Sequence, residues 1–120
     1  MYTTSVQILK KQQTIVFLTL IFFISAFFRF YQLGHLPKAF AFDEAGLGYN
    51  AWSLLTTGRD EWGEFLPLTL RSFDDYKPAI YSYLAIPAVA LFGIGEFATR
   101  LPAATAGTLL PIFVFLLTST

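Results

Sequence analysis

The 120-residue sequence has no cysteine and a single histidine, and its eight basic and eight acidic residues leave a formal net charge of zero. Without cysteine there is no disulfide, no thiolate metal site and no cysteine nucleophile. The lone His35 has no companions at metal-ligand spacing, so we assign it no metal role. The balanced charge, with no basic patch interleaved with aromatic residues, gives no indication of a nucleic-acid partner. No cofactor is predicted, and a need for a divalent cation stays open.

Apolar residues, by contrast, are abundant. The chain is 55% hydrophobic with 14 phenylalanines, and its mean hydropathy is +0.56. This composition is too apolar for an ordinary soluble domain of this size. Three apolar runs approach the ~20 residues that cross a bilayer. We therefore predict an all-α membrane protein, a multi-span helical bundle with spans at residues 14–31, 78–94 and 101–118.

The first apolar run follows Lys10 and Lys11, a combination that also begins secretory signal peptides. The sequence Ala39-Phe40-Ala41 has the small-x-small pattern of a cleavage site, but it lies too far beyond the apolar run for a usual signal. We interpret the run as an uncleaved first span. The third run reaches the end of the sequence without a flanking charge, so we expect the sequence to be a fragment of a longer chain.

Residues 32–77 form the one substantial loop between the predicted spans. Inside it, four apolar residues recur at helical spacing and predict an amphipathic helix at residues 44–57, lying in the membrane interface. These residues are Leu47, Ala51, Leu54 and Leu55. Gly58 is suited to end this helix, and residues 65–70 are predicted to be extended around Pro67.

Basic residues give conflicting indications of orientation. With three spans, Lys10, Lys11 and Arg100 would lie on one side of the membrane and the basic residues of the loop on the other. The lysine pair before the first span favours a cytoplasmic N-terminus, because the first span usually dominates. We therefore expect an integral protein of the plasma membrane, with the loop 32–77 on the outer side.

Charged residues at the edges of the loop are the candidate site. Asp43 and Glu44 follow the first predicted span, and Lys77 immediately precedes the second. A carboxylate pair and a lysine against a membrane surface are costly, and they indicate a reaction site for a charged lipid. Arg29 and Arg71 also lie at the interface and could reach a lipid phosphate.

Structural roles are the alternatives at these positions. Aspartate is a preferred N-cap residue, so Asp43 could cap the predicted helix, although the partner of a capping box is missing. Glu44 suits the first turn of that helix, where acids complement the helix dipole. For Lys77, Arg71 and Arg29, the alternative is that the apolar part of the side chain lies along the membrane while its charged end extends toward water.

Four ordered motifs resemble the N-terminal part of the GT-C membrane glycosyltransferases, in particular the branch of the protein O-mannosyltransferases and the lipid A aminoarabinose transferase. The motifs are RFYQLGHLP at 29–37, FDEA at 42–45, DYKPAIYSYL at 75–84 and FGIGEFATRLP at 92–102. The resemblance runs from about Arg29 to about Gly107. One position departs from it, because Ala79 stands where the family more often has a second proline.

The resemblance implies that residues 1–120 are the N-terminal part of a single GT-C catalytic domain, inactive alone. It implies a polyprenyl-phosphate-linked sugar as donor and an inverting transfer on the outer face of the membrane. Asp43 would be the catalytic base, Glu44 a supporting acid, and Lys77 the partner of the lipid phosphate. The chemistry is consistent, because an acceptor hydroxyl that attacks the anomeric carbon must lose its proton to a base. The sugar and the acceptor, whether protein, lipid or glycan, stay open.

Two other function classes remain alternatives. The chain could be a non-catalytic membrane subunit whose small-residue face contacts partner helices. That face would comprise Ala103, Ala104, Ala106 and Gly107. It could also be a transporter or flippase of a lipid-linked sugar, which would likewise need charges at the interface.

Overall fold

The computed structural model describes the backbone of residues 2–72 and 75–119, and the side chains of residues 10–71 and 75–119. Six elements follow one another along this part of the chain. They are α1 (Tyr2–Phe30), α2 (Phe42–Thr57), β1 (Thr69–Ser72), β2 (Asp75–Pro78), α3 (Ile80–Phe92) and α4 (Glu96–Thr118). The chain divides into two compact units, one formed by residues up to 31 together with those from 104 onward, and one formed by residues 32–103.

Helices dominate, as predicted, but the all-α class is wrong in one respect. Strands β1 and β2 form an antiparallel two-stranded sheet inside the predicted loop, with Leu70 opposite Lys77 and Arg71 opposite Tyr76. The predicted extended segment 65–70 enters this sheet only from Thr69 onward. The sheet places Lys77 in a defined register, which a flexible loop would not do.

Two described helices, α1 and α4, are long and apolar enough to cross a membrane. The apolar stretch of α1 is Lys10–Phe30, 21 residues, and α4 has 23 residues. At about 1.5 Å per residue both exceed the ~30 Å thickness of a hydrocarbon core. Helix α4 begins at Glu96, five residues before the predicted span 101–118, so Arg100 lies inside the helix.

Helix α3 is shorter than the predicted span 78–94. It has 13 residues, which corresponds to about 20 Å and is well short of a hydrocarbon core. Its flanking residues limit this length. Pro78 still belongs to β2, two residues before Ile80, and Gly93 adopts a φ of 78° directly after Phe92. Helix α3 is therefore not among the helices long enough to cross a membrane, and the predicted span at this position is unconfirmed.

Helix α2 begins two residues earlier than predicted, and its N-cap is Ala41 in an extended conformation, without a side-chain capping bond. Asp43 lies in the first turn, so its alternative role as N-cap is wrong. The predicted end is confirmed: Gly58 is left-handed, with a φ of 69°, and its N–H donates to the carbonyl of Leu54.

The buried face of α2 is composed of smaller residues than the sequence pattern predicts. Leu55 is 41% exposed, while Gly46, Gly48, Asn50 and Ser53 are buried. Helix α3 packs closely against α2, and a close approach of two helices favours small side chains. The core of this unit is correspondingly built from small residues, namely Ala51, Ala85, Ala88, Val89 and Ala98.

Candidate active site

Asp43 and Lys77 form an ion pair, in which the Lys77 ammonium donates to the Asp43 carboxylate. The first turn of α2 presents Asp43, where the helix dipole favours an acid, and β2 presents Lys77. The structure therefore brings together two of the residues that the sequence analysis assigns to one candidate site. The Lys77 side chain is 17% exposed and that of Asp43 is 76% exposed. The carboxylate therefore remains open to a reactant, while the lysine is held by its surroundings.

The neighbouring Glu44 belongs to a second, more buried network centred on Arg100. The guanidinium of Arg100 is 7% exposed and lies 2.9 Å from the carboxylates of both Glu44 and Glu96. Its Nε also donates to both oxygens of Glu44, at 3.3 Å. A planar guanidinium is suited to such multiple contacts with carboxylates.

Arg100 also holds the chain that leads into α2. Its Nη1 donates to the carbonyls of Leu33 and Leu36, and its Nη2 to the carbonyl of Ala39, each at 3.2 Å. These contacts fix the segment directly before the first turn of α2, and with it the backbone that carries Asp43. Arg100 is therefore the residue of this site that the sequence analysis missed. Its position four residues after Glu96, near the start of an apolar helix, is the pattern that could have indicated it.

The position of Arg100 corrects the predicted topology. The three-span arrangement places Arg100 on the opposite side of the membrane from the loop 32–77. In the structure, however, its guanidinium contacts Leu33, Leu36, Ala39 and Glu44, all of which belong to that loop. A direct contact requires both partners on one side, so the expected separation is wrong.

Helix α3 is tied to the other elements of this unit by hydroxyl groups. Tyr81 donates to the carbonyl of Thr99 at 2.8 Å, and Ser82 donates to that of Leu47 at 3.0 Å. Burial raises the pKa of Tyr81 above its ordinary value, and the nearby charge of Glu44 adds to the rise. The phenol of Tyr81 is thus held as a neutral hydrogen-bond donor.

The other two basic candidates have different surroundings. The Arg71 guanidinium lies 4.7 Å from the ring centre of Trp62, whose indole N–H donates to the Arg71 carbonyl at 2.7 Å. Arg29 belongs to the other compact unit, where its Nε donates to the hydroxyl of Ser25 at 3.4 Å. Neither contact involves the Asp43–Lys77 pair, and the phosphate-binding roles of Arg71 and Arg29 stay predictions.

Two apolar cavities, of about 560 and 320 Å³, are lined by side chains of α1 such as Ile15 and Thr19, the smaller one also by Ile112. Neither is lined by Asp43 or Lys77. Among the residues that the structure describes, no group of three or more histidine, cysteine or acidic side chains is placed to hold a metal ion.

In comparisons with known proteins, no family model, no curated protein and no solved structure matches the chain. The resemblance of the four motifs to the GT-C glycosyltransferases therefore stays a prediction. The geometry of Asp43, Glu44, Lys77 and Arg100 supplies the remaining argument about function.

Proposed function

We propose that this chain is part of an integral-membrane inverting glycosyltransferase, which moves a sugar from a polyprenyl-phosphate carrier to an acceptor hydroxyl. The observation that carries the proposal is the Asp43–Lys77 ion pair. It combines the two functions that such a transfer needs, a base for the acceptor and a cation for the phosphate. The motif resemblance supports the same assignment. We also propose that this transfer takes place on the outer face of the plasma membrane.

In the proposed reaction, the acceptor oxygen attacks the anomeric carbon of the sugar. Its proton passes to the carboxylate of Asp43, and the bond between the anomeric carbon and the phosphate oxygen breaks. The bonding electrons leave with the polyprenyl phosphate. Lys77 offsets the negative charge that develops on this leaving group. The exposure of the Asp43 carboxylate, 76%, supports its access to an acceptor.

The ion pair also suggests how the site responds to its donor. Lys77 contacts a single carboxylate in the described contacts of its side chain, whereas an ammonium group has three donors. An incoming phosphate is a second anionic partner for the same group. In the proposal, the phosphate draws Lys77 away from Asp43, and the carboxylate then accepts the proton of the acceptor.

Stabilisation of the fold is a weak explanation for the Asp43–Lys77 ion pair. An ion pair with an exposed partner contributes about 0–1 kcal/mol, and Asp43 is mostly exposed. Glu44 differs, because its carboxylate contacts the buried guanidinium of Arg100. We therefore assign Asp43 the chemistry and Glu44 the fixing of the first turn of α2.

The test uses membranes that contain the full chain, supplied with polyprenyl-phosphate sugars labelled in the sugar. Release of polyprenyl phosphate and incorporation of label into acceptors are both measured. The proposal expects both, and expects both to fall with Asp43→Asn. Asp75→Asn is the matched control, because Asp75 is an exposed carboxylate two residues from Lys77. Labelled sugar that crosses the membrane still attached to its lipid would support the transporter alternative. Donor turnover that does not depend on Asp43 would contradict the proposal.

A further inference from the structure

Helix α3 carries an exposed apolar stripe along its whole length. Ile80, Leu84 and Leu91 are 67%, 61% and 78% exposed, and Pro87 is exposed between them. The spacing i, i+4, i+7, i+11 places these four residues, the α3 stripe, on one helix face. A single exposed apolar residue needs no explanation, but a continuous stripe marks an interaction surface.

The polar groups of α3 all point away from this stripe. Tyr81, Ser82 and Tyr83 donate to backbone carbonyls of Thr99, Leu47 and Pro67, all within the same compact unit. No charged residue occurs between positions 78 and 95. A helix exposed to water normally carries charged or polar residues on its outer face. The outer face of α3 has none, which indicates an apolar environment.

The contacts at the two ends of α3 argue against its crossing a membrane. Lys77, three residues before α3, contacts Asp43, and Arg100, eight residues after it, contacts Glu44. Asp43 and Glu44 are adjacent in the sequence. A helix that crosses a ~30 Å hydrocarbon core would separate the two basic residues by that distance. Both ends of α3 therefore lie on the same side.

Chain connectivity places α3 beside the membrane. Only three residues separate Phe92 at the end of α3 from Glu96 at the start of α4. Three residues reach at most about 10 Å, and α4 is long and apolar enough to cross a membrane. The apolar residues continue through this connection, where Ile94 is 53% exposed.

From these observations we propose that α3 lies in the plane of the membrane surface, with the α3 stripe embedded in the acyl chains of the leaflet at which α4 begins. In this arrangement lipid acyl chains cover the α3 stripe. Amphipathic helices in this position bury their apolar face at the boundary between headgroups and acyl chains. This inference does not depend on the proposed glycosyl transfer. It places Lys77, just before the start of α3, at the level of lipid headgroups.

The first test determines whether α3 crosses the membrane. Because the sequence has no cysteine, Glu64→Cys and Gly95→Cys each introduce a single thiol, one before and one after α3. A Cβ at Gly95 meets no atom within 4 Å, so this variant fits the fold. A membrane-impermeant maleimide is applied to sealed vesicles of each orientation. We expect both thiols to react from the same side. Reaction from opposite sides would overturn the proposal.

The second test identifies what covers the α3 stripe. A fluorophore is attached to Leu84→Cys, Leu91→Cys or the exposed control Glu64→Cys, and the chain is reconstituted with lipids brominated along their acyl chains. We expect quenching at positions 84 and 91, at similar depth, and little quenching at position 64. A spanning helix would give depths that differ by about 10 Å over seven residues. Absence of quenching at both stripe positions would mean that protein or water covers the stripe, and the proposal would be wrong.

Discussion

Arg100 pairs with Glu44 across 56 positions of the sequence, with its Nη2 2.9 Å from a carboxylate oxygen. The pair connects the start of α4 to the first turn of α2. It also lies one residue from Asp43, the proposed base. A single arginine thus links a helix that is long enough to cross a membrane to the candidate site.

Replacement of Arg100 is expected to destabilise the unit formed by residues 32–103. Arg100→Ala removes the partner of two carboxylates and of three backbone carbonyls. Breaking a buried ion pair costs about 3–5 kcal/mol. The side chains of Glu44 and Glu96 are 35% and 29% exposed, so we expect about 2–3 kcal/mol, the discount reflecting solvent screening. Thermal unfolding in detergent measures the effect.

The matched control for Arg100 is Arg59→Ala. Arg59 is exposed and donates to one carbonyl, that of Gly63, and its loss should change stability by less than about 1 kcal/mol. Arg100→Lys keeps the charge but not the planar guanidinium, and we expect an intermediate loss. Equal stability of Arg100→Ala and Arg59→Ala would contradict the assigned role.

Asp43→Asn is expected to reduce turnover with little change in donor binding. Asparagine keeps the size of the side chain and removes the base, and positioned proton transfer contributes about 10²–10⁴-fold. Turnover and donor affinity are measured in membranes with the active donor and acceptor. Near-normal transfer by Asp43→Asn would contradict the catalytic assignment, and Asp43 would then be only an exposed acid in the first turn of α2.

Lys77→Ala is expected to differ in kind from Asp43→Asn. In the proposed reaction the ammonium contacts the phosphate both before and during departure, so its loss should weaken donor binding as well as turnover. A hydrogen bond from a charged group contributes about 1.5–3 kcal/mol, or roughly 10–150-fold in affinity. Titration with the lipid-phosphate sugar measures this loss. Lys38→Ala, in an exposed lysine of the same unit, should bind donor as the parent chain does.

Gly48→Ala is expected to destabilise the packing of α2 against the start of α4. A Cβ at position 48 would lie against the hydroxyl of Thr99, and overpacking of a close contact costs about 1–3 kcal/mol. The double variant Gly48→Ala with Thr99→Ala should lose less than the sum of the two single variants. Gly95→Ala is the control, since the Cβ there meets no atom within 4 Å. Additive losses would mean that the two residues do not share this contact.

Alkaline pH is expected to weaken the fold through Tyr81. Because burial raises its folded-state pKa above 10.0, the unfolded chain loses this proton at lower pH than the folded chain. The stabilisation of the folded state by Tyr81 is complete below pH 10 and is lost as pH rises through the folded-state pKa. Tyr81→Phe should remove this dependence from unfolding measured between pH 9 and 11. Tyr83→Phe, which loses one phenolic bond to the carbonyl of Pro67, controls for the hydrogen bond alone.

Composition and local pattern determine the parts of this protein that follow from neighbouring residues. The apolar runs predict the two helices that could cross a membrane, because hydrophobic length is read directly from the sequence. Gly58 ends α2 as predicted, since a left-handed residue is a local requirement that glycine meets. The acids Asp43 and Glu44 fall in the first turn of α2, where acidic side chains complement the helix dipole, which is also a local effect.

Tertiary structure decides what depends on distant partners. The apolar content of α3 predicts a span, but its 13 residues and the contacts on either side of it keep both ends together. Hydropathy does not distinguish a helix that spans the bilayer from one that, as we propose for α3, has lipid along one face and small side chains along the other. The role of Arg100 depends on carbonyls and carboxylates up to 67 positions away, and no local pattern contains them. Asp43 and Lys77 meet for the same reason, because the sheet register and the packing of α2 on α3 set their distance, while the sequence sets only their chemistry.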